Sequence, residues 1–214
     1  MKYKLIIFDW DGTLMDSIPK IVNCFKQAAL RSGIPEPKTN EVTAVIGLSL
    51  EVAIATLFSE YRALWPELID GYQACYKEQD NLNPVVFSGT LGLLEELRDH
   101  GLLLAIATGK SRKGLDRVLN CSGLSHFFIT SRTADEASSK PAPDMLEQIL
   151  KELGITTNSA LMVGDSLLDM QMAKCANIDA VAMGWGAADT LTLSATDALM
   201  VCKDYTQLRC AIFS

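Results

Sequence analysis

The sequence is poor in several things, and each shortage removes a class of function. It has only two histidines, His100 and His126. The first precedes a helix-ending glycine and the second an apolar stretch, so neither is assigned to catalysis. No Lys/Arg cluster forms a basic face, and the balance of 19 basic and 26 acidic residues leaves a net charge of −7. That argues against a nucleic-acid partner, although local cations and a metal still allow a small anion to bind. No apolar run approaches bilayer length; Leu102–Ala107 is typical, and no membrane partner is expected. Lys2 and Lys4 open the chain, but the apolar run behind them stops at Asp9, which is not a signal peptide, so the expected location is cytoplasmic. Six cysteines are scattered without a Cys-x-x-Cys pair and read as reduced structural thiols. Repeats and low-complexity segments are absent.

What is present is an alternation. Leu5-Ile6-Ile7-Phe8 is a continuous apolar run, as expected of a strand buried on both faces of a parallel sheet. Further strands are expected at Leu102–Ala107, Phe127–Thr130, Ala160–Val163, Ala180–Met183 and Ala198–Val201. Helices fall between them: one capped by Ser88 and closed by His100-Gly101, one ending near Ser122, one opened by Pro143, one ending at Ala176. The expected fold is α/β, a doubly wound parallel sheet with a Rossmann-like core. Residues 16 to 84 break the alternation. Asp16 or Ser17 caps a first helix with Pro19 in its first turn, a second holds Val42, Val45 and Ile46, Ser49 caps a third over Val52–Phe58, and Pro66 opens a fourth with Leu68, Ile69, Tyr72 and Tyr76 on one face. The expected division is a core of residues 1–15 and 85–214 and an α-helical cap of residues 16–84. Thr13–Ser17 and Asn81–Ser88 would be its hinges, Asn81–Pro84 a linker, and the Gly47-Leu48-Ser49 break the cap segment that dips toward the core.

The residues able to do chemistry follow strand ends. Asp9 and Asp11 follow the first strand, Thr108 and Gly109 the second, and Asp165 the Ala160–Val163 strand, with Asp169 one helical turn later; Lys140 precedes Pro141-Ala142-Pro143. In a parallel sheet these ends share one rim. A hard divalent cation takes carboxylate oxygens, which Asp9 and Asp165 offer directly and Asp169 in support. Thr108 can donate to a phosphoryl oxygen, and Lys140 can neutralise phosphate charge. Asp9 then has the surroundings of a nucleophile and Asp11 those of its acid/base partner. Taken singly each residue has a plainer use: turn acids, a helix-terminal acid, a solvated lysine. Ser166 reads first as a helix cap and second as part of the metal shell, and Lys110 first as a surface lysine and second as a contributor to the anion field.

Together, Asp9-Trp10-Asp11-Gly12-Thr13-Leu14, Ala107-Thr108-Gly109-Lys110, Lys140-Pro141-Ala142-Pro143-Asp144 and Gly164-Asp165-Ser166-Leu167-Leu168-Asp169 resemble the four motifs of the haloacid dehalogenase superfamily. The helical insertion is similar to that of its α-capped, phosphoglycolate phosphatase-like members. The resemblance implies a Mg²⁺-dependent phosphomonoester hydrolase forming an aspartyl-phosphate. In it Asp9 is the nucleophile and Asp11 the acid/base, while Thr108, Gly109 and Lys140 bind phosphate. Asp9, the Asp11 main chain and Asp165 hold Mg²⁺, and Asp169 supports it. The expected partner is a small phosphorylated metabolite, phosphoglycolate first, and the chain a monomer or homodimer. Asp11 disfavours dehalogenation, which lacks that acid. A sugar-phosphate mutase of the same superfamily would use a cap histidine, and residues 16–84 contain none; Ile21 stands about where one would be. Pyrophosphatase and nucleotide phosphatase activities remain alternatives. A non-catalytic, phospho-responsive module would be shorter, capless and differently ordered.

Overall fold

The computed structural model describes residues 1–79 and 85–213. The linker expected at Asn81–Pro84 lies outside them. Six strands form one parallel sheet in the order β3-β2-β1-β4-β5-β6. They are β1 (Leu5–Phe8), β2 (Leu103–Ala107), β3 (Thr130–Arg132), β4 (Ala160–Gly164), β5 (Asp179–Met183) and β6 (Val201–Cys202). The four residues of β1 are fully buried because each side of the sheet is covered. Ile6 and Phe8 enter one apolar cluster with Leu104, Ile106, Leu161 and Val163. Leu5 and Ile7 enter the opposite one with Ala105, Ala107, Ala160 and Met162. The first face is covered by α5 (Thr90–Asp99), α6 (Arg112–Ser122) and α10 (Tyr205–Phe213). The second is covered by α7 (Asp144–Leu153), α8 (Leu167–Cys175) and α9 (Thr190–Ser194). Period-two alternation sends neighbouring strand residues to opposite faces. The strand order reverses between β1 and β4, and the crevice beyond their carboxyl ends is where such sheets hold ligands.

Four helices follow β1: α1 (Ile18–Arg31), α2 (Thr39–Thr43), α3 (Leu50–Leu57) and α4 (Trp65–Glu78), with a 3₁₀ segment at Ser59–Leu64. They enclose an apolar cluster of their own, built on Phe25, Ala28, Val42, Ile54, Phe58, Leu68 and Tyr76. The chain leaves and re-joins the sheet on adjacent paths. Met15 bridges Val86 antiparallel, Asp16 N donates to Val85 O at 2.8 Å, and Phe87 N to Leu14 O at 3.0 Å. Cys24, Cys75 and Cys202 are buried thiols. Among the described residues no helix is long and apolar enough to cross a membrane.

The departures from the sequence expectation fall at sheet edges and helix ends. The strand expected at Phe127–Thr130 is a 3₁₀ turn, Ser125–Phe127, followed by β3. The turn tucks Leu124 and Phe127 into the core, while the edge strand is polar and half-buried, so hydropathy marks the wrong segment. The strand expected at Ala198–Val201 is displaced to Val201–Cys202, at the opposite edge. Gly89, with φ of +88°, rather than Ser88, occupies the N-cap of α5. Helix α2 ends at Thr43, before Val45 and Ile46. The Ser59–Leu64 segment, α9 and α10 were not anticipated.

Candidate active site

The rim begins where β1 ends. Asp9 N donates to Val163 O at 2.9 Å, which keeps Asp9 in step with β4 beside it. The chain then turns tightly, with Leu14 N and Met15 N both donating to Trp10 O and the Trp10 indole buried in the core. Gly12 takes φ of +83°, a conformation costly for residues with a Cβ. A Cβ there would also lie 2.3 Å from Asp165 Oδ2, and one on Gly186 2.1 Å from the same atom. The Asp165 carboxylate therefore sits in a slot that only glycines leave open. Thr13 Oγ1 donates to its Oδ1 at 2.6 Å, and Ala187 N to its Oδ2 at 2.7 Å. Trp185 packs on Phe87 and Tyr205.

Lys140 joins two acids. Its ammonium donates to Asp9 Oδ1 at 2.7 Å and to Asp169 Oδ1 at 2.6 Å, and the lysine side chain has no exposed surface. Asp169 is oriented in turn by Ser166, which donates through Oγ at 2.6 Å and N at 3.1 Å to Oδ2 and accepts from Asp169 N at the start of α8. Asp9, Asp165 and Asp169 each present an oxygen within 4.8 Å of the others. Three buried acids against one lysine is a surplus of negative charge. Burial, and then the neighbouring acids, push Asp9 up to about 7 against the pull of Lys140. Burial, followed by Asp9 and Asp169, raises Asp165 well above the ordinary aspartate value. Burial would lower Lys140, but Asp169 and Asp9 outweigh it and hold its ammonium above the ordinary value. Buried convergent carboxylate oxygens with excess negative charge are the donor set of a hard divalent cation.

Asp11 faces the other way, toward the helical cap. Ser17 Oγ donates to its Oδ1, so Ser17 stands at the start of α1 but spends its hydroxyl on Asp11, not on a helix N–H. Lys110 is the clearest correction to the sequence reading. It is no surface lysine: its side chain is 10% exposed, and Nζ lies 3.0 Å from Asp11 Oδ2 and 3.1 Å from Tyr76 Oη on α4. Burial opposes its charge, but Asp11 and Tyr76 hold it above the ordinary lysine value. The glycine beside it, Gly109, lies beneath the cap loop; a Cβ there would fall 2.3 Å from Gly47 O and 2.5 Å from Leu48 O. Ser49 N donates to Ser139 Oγ at 3.0 Å, a second tie between cap and core. Between them is a cavity of about 520 Å³, lined by Asp9, Asp11, Thr108 and Lys110 below and by Ile21 and Tyr72 above. The segment Gly47-Leu48-Ser49 borders it.

The seven residues singled out in the sequence thus come to one rim. Asp9, Asp11, Thr108 and Gly109 face the cavity, while Lys140, Asp165 and Asp169 lie buried around Asp9. His100 and His126 are exposed, hydrogen-bonded to nearby backbone carbonyls. Sequence reasoning passed over Thr13, Ser17, Tyr76 and Gly186. Thr13 and Ser17 carried a weak signal in their closeness to Asp11, and Gly186 one in the Gly184-Trp185-Gly186 stretch that follows a strand end and was expected to border the site, whereas Tyr76 reaches the site only through folding.

Such a sheet, with acids converging at its switch point under a helical lid, defines the class: an α/β enzyme with a catalytic rim at the strand ends. Residues 6–183 match the haloacid dehalogenase-like hydrolase family. The chain is 32% identical to the probable phosphatase IndB of Dickeya dadantii, over 95% of its own length and 91% of that protein. It is 31% identical to the tyrosine-protein kinase PtkA of Mycobacterium tuberculosis, over 98% of this chain and 72% of that one. It is also 31% identical to the phosphoglycolate phosphatase of Vibrio cholerae, over 86% and 85%. The crystal structure of a hydrolase from Pseudomonas syringae superposes with a TM-score of 0.87 at 27% identity, covering 98% of this chain and 97% of that one. The chain belongs to the haloacid dehalogenase-like hydrolase family, and it is an enzyme of the family's phosphatase type.

Proposed function

We propose that the chain hydrolyses a small phosphomonoester, with Asp9 as nucleophile and Mg²⁺ as cofactor. The observation that carries this reading is the buried cluster of Asp9, Asp165 and Asp169 on Lys140, placed where Asp9 opens into the cavity. Asp9 and Asp165, with the Asp11 main-chain carbonyl, would hold the cation, and Asp169 would support it. The bound ion supplies charge neutralisation for the anionic substrate and keeps Asp9 ionised. Lys140 holds the Asp9 carboxylate in position. Thr108 donates its hydroxyl to a phosphoryl oxygen, with the Gly109 turn beside it. Asp9 attacks phosphorus in line, and the bond to the ester oxygen breaks. Asp11, aligned by Ser17, protonates that oxygen as the alcohol leaves. It then takes a proton from the water that hydrolyses the aspartyl-phosphate and so returns Asp9. The apolar cap wall, including Ile21 and Tyr72, keeps bulk water from the intermediate.

Ile21 supports hydrolysis over mutase chemistry. It lines the cavity as an apolar residue where a proton-transferring histidine would be needed, and the sequence from 16 to 84 has no histidine. The reading needs one ligand, a small phosphorylated metabolite, and phosphoglycolate is the first compound to assay because a similar protein carries it in its name. The test is phosphate release from a panel of phosphorylated metabolites with and without Mg²⁺. Turnover that needs Mg²⁺ and vanishes in Asp9→Asn is expected; turnover indifferent to both defeats the mechanism.

A further inference from the structure

Lys110 and Tyr76 have no part in the chemistry just described, yet both line the cavity wall beside the acid/base residue, Tyr76 buried and Lys110 largely so. An ammonium has three donors. Asp11 Oδ2 at 3.0 Å and Tyr76 Oη at 3.1 Å use two of those on Lys110. The phenol accepts from Lys110 and keeps its own O–H as a donor. Its ring meets one cation from the cap and one from the core: Lys20 Nζ on α1 lies 3.9 Å from the ring centre, and the Arg117 guanidinium on α6 lies 5.5 Å from it. The Tyr76 hydroxyl is therefore fixed, in a field of positive charge, at the seam between cap and core.

The ester oxygen of any substrate must come within hydrogen-bond reach of Asp11 to receive its proton. The alcohol carbon and the group attached to it must then lie next to Asp11, on the side where Lys110 and Tyr76 stand. Lys140 cannot serve that side, because it is fully buried between Asp9 and Asp169. A carboxylate on the alcohol carbon would find the remaining Lys110 donor and the Tyr76 hydroxyl together, whereas a methyl or hydrogen there would leave both donors without an acceptor. We propose that Lys110 of the core and Tyr76 of the cap form a carboxylate subsite, selecting phosphate esters of 2-hydroxycarboxylic acids. The inference rests on the phosphomonoesterase reading above. It assigns specificity to a pair that exists only when the cap sits on the core.

The test compares 2-phosphoglycolate with ethyl phosphate, which has a methyl in place of the carboxylate, in wild type, Lys110→Gln and Tyr76→Phe, each with Mg²⁺. The wild type is expected to favour phosphoglycolate in kcat/KM by about tenfold or more, the worth of a charge-assisted hydrogen bond. Each variant is expected to lower that preference about tenfold, mainly through KM. Tyr76→Phe keeps the ring and its cation contacts, so it guards against a folding defect. Loss of a structural or acid/base-aligning role would slow both esters alike and leave the ratio where it was. An unchanged ratio in both variants, or a wild type that prefers ethyl phosphate or accepts only some other ester, overturns the subsite while hydrolysis stands. No hydrolysis of any phosphate ester overturns the phosphatase reading, and the subsite with it.

Discussion

Replacing Asp9 by asparagine should stabilise the metal-free protein, and only at high pH. Asp9 is buried beside Asp165 and Asp169, and burial followed by its neighbours lifts its carboxyl from 3.8 to about 7. A group whose folded-state value is raised contributes stability that is present at low pH and is lost as pH rises through that value. For Asp9 the loss runs from about pH 4 to about pH 7, and the shift corresponds to about 4 kcal/mol against the charged form. Asparagine mimics the protonated acid and still offers Lys140 an oxygen, so the variant escapes this loss. Urea denaturation in a chelator should therefore show near-equal stabilities at about pH 4 and a variant more stable by about 2–4 kcal/mol at about pH 8. Saturating Mg²⁺ should reverse the order, because the wild type gains a ligand that the variant binds poorly. A gap that does not change with pH, or a variant less stable than wild type at about pH 8, refutes the account of Asp9 as an acid held against its own charge. The same substitution should abolish phosphate release, so the strain and the activity would belong to one residue.

Three further outcomes follow from the same geometry. Asp11→Asn should form the aspartyl-phosphate but hydrolyse it slowly, leaving phosphorylated protein visible by intact-mass measurement after a brief exposure to substrate; an unmodified mass in a protein that still turns over would remove Asp11 from its role. Gly109→Ala should push the cap loop off the core, since its Cβ would meet Gly47 O at 2.3 Å, costing about 1–3 kcal/mol in the closed form and lowering kcat/KM about tenfold or more; unaltered kinetics would show that the cap does not close on Gly109 during turnover. Mg²⁺ must compete with the protons on Asp9 and Asp165, so its apparent affinity, followed by calorimetry, should strengthen as pH rises through about 7; a flat profile would place the ion elsewhere.

Much of the fold is legible because its signals are local. A four-residue apolar run ending in acid marks a central parallel strand, and β1 is fully buried from Leu5 to Phe8. Errors concentrate where local pattern and tertiary need diverge. The edge strand β3 is Thr-Ser-Arg, paired to β2 by backbone bonds that ask nothing of its side chains. The turn before it carries the apolar residues, and those drew the strand expectation instead.

The sequence by itself determined the parallel α/β plan, the helical segment between its first two strands, and the acids, threonine and lysine that meet at the rim. These follow from periodicity, from strand ends that share one edge, and from motifs whose residues lie close in the chain. Only the tertiary structure decided what surrounds Asp11. Lys110 reads as a solvated lysine beside a helix start, and Tyr76 as one more apolar position on α4. Folding brings Nζ to 3.1 Å from the phenol and 3.0 Å from the carboxylate. Asp11 and Lys110 meet because β1 and β2 pair side by side, and Tyr76 joins them only because the cap comes down on Gly109, where the absence of a side chain lets two backbones touch.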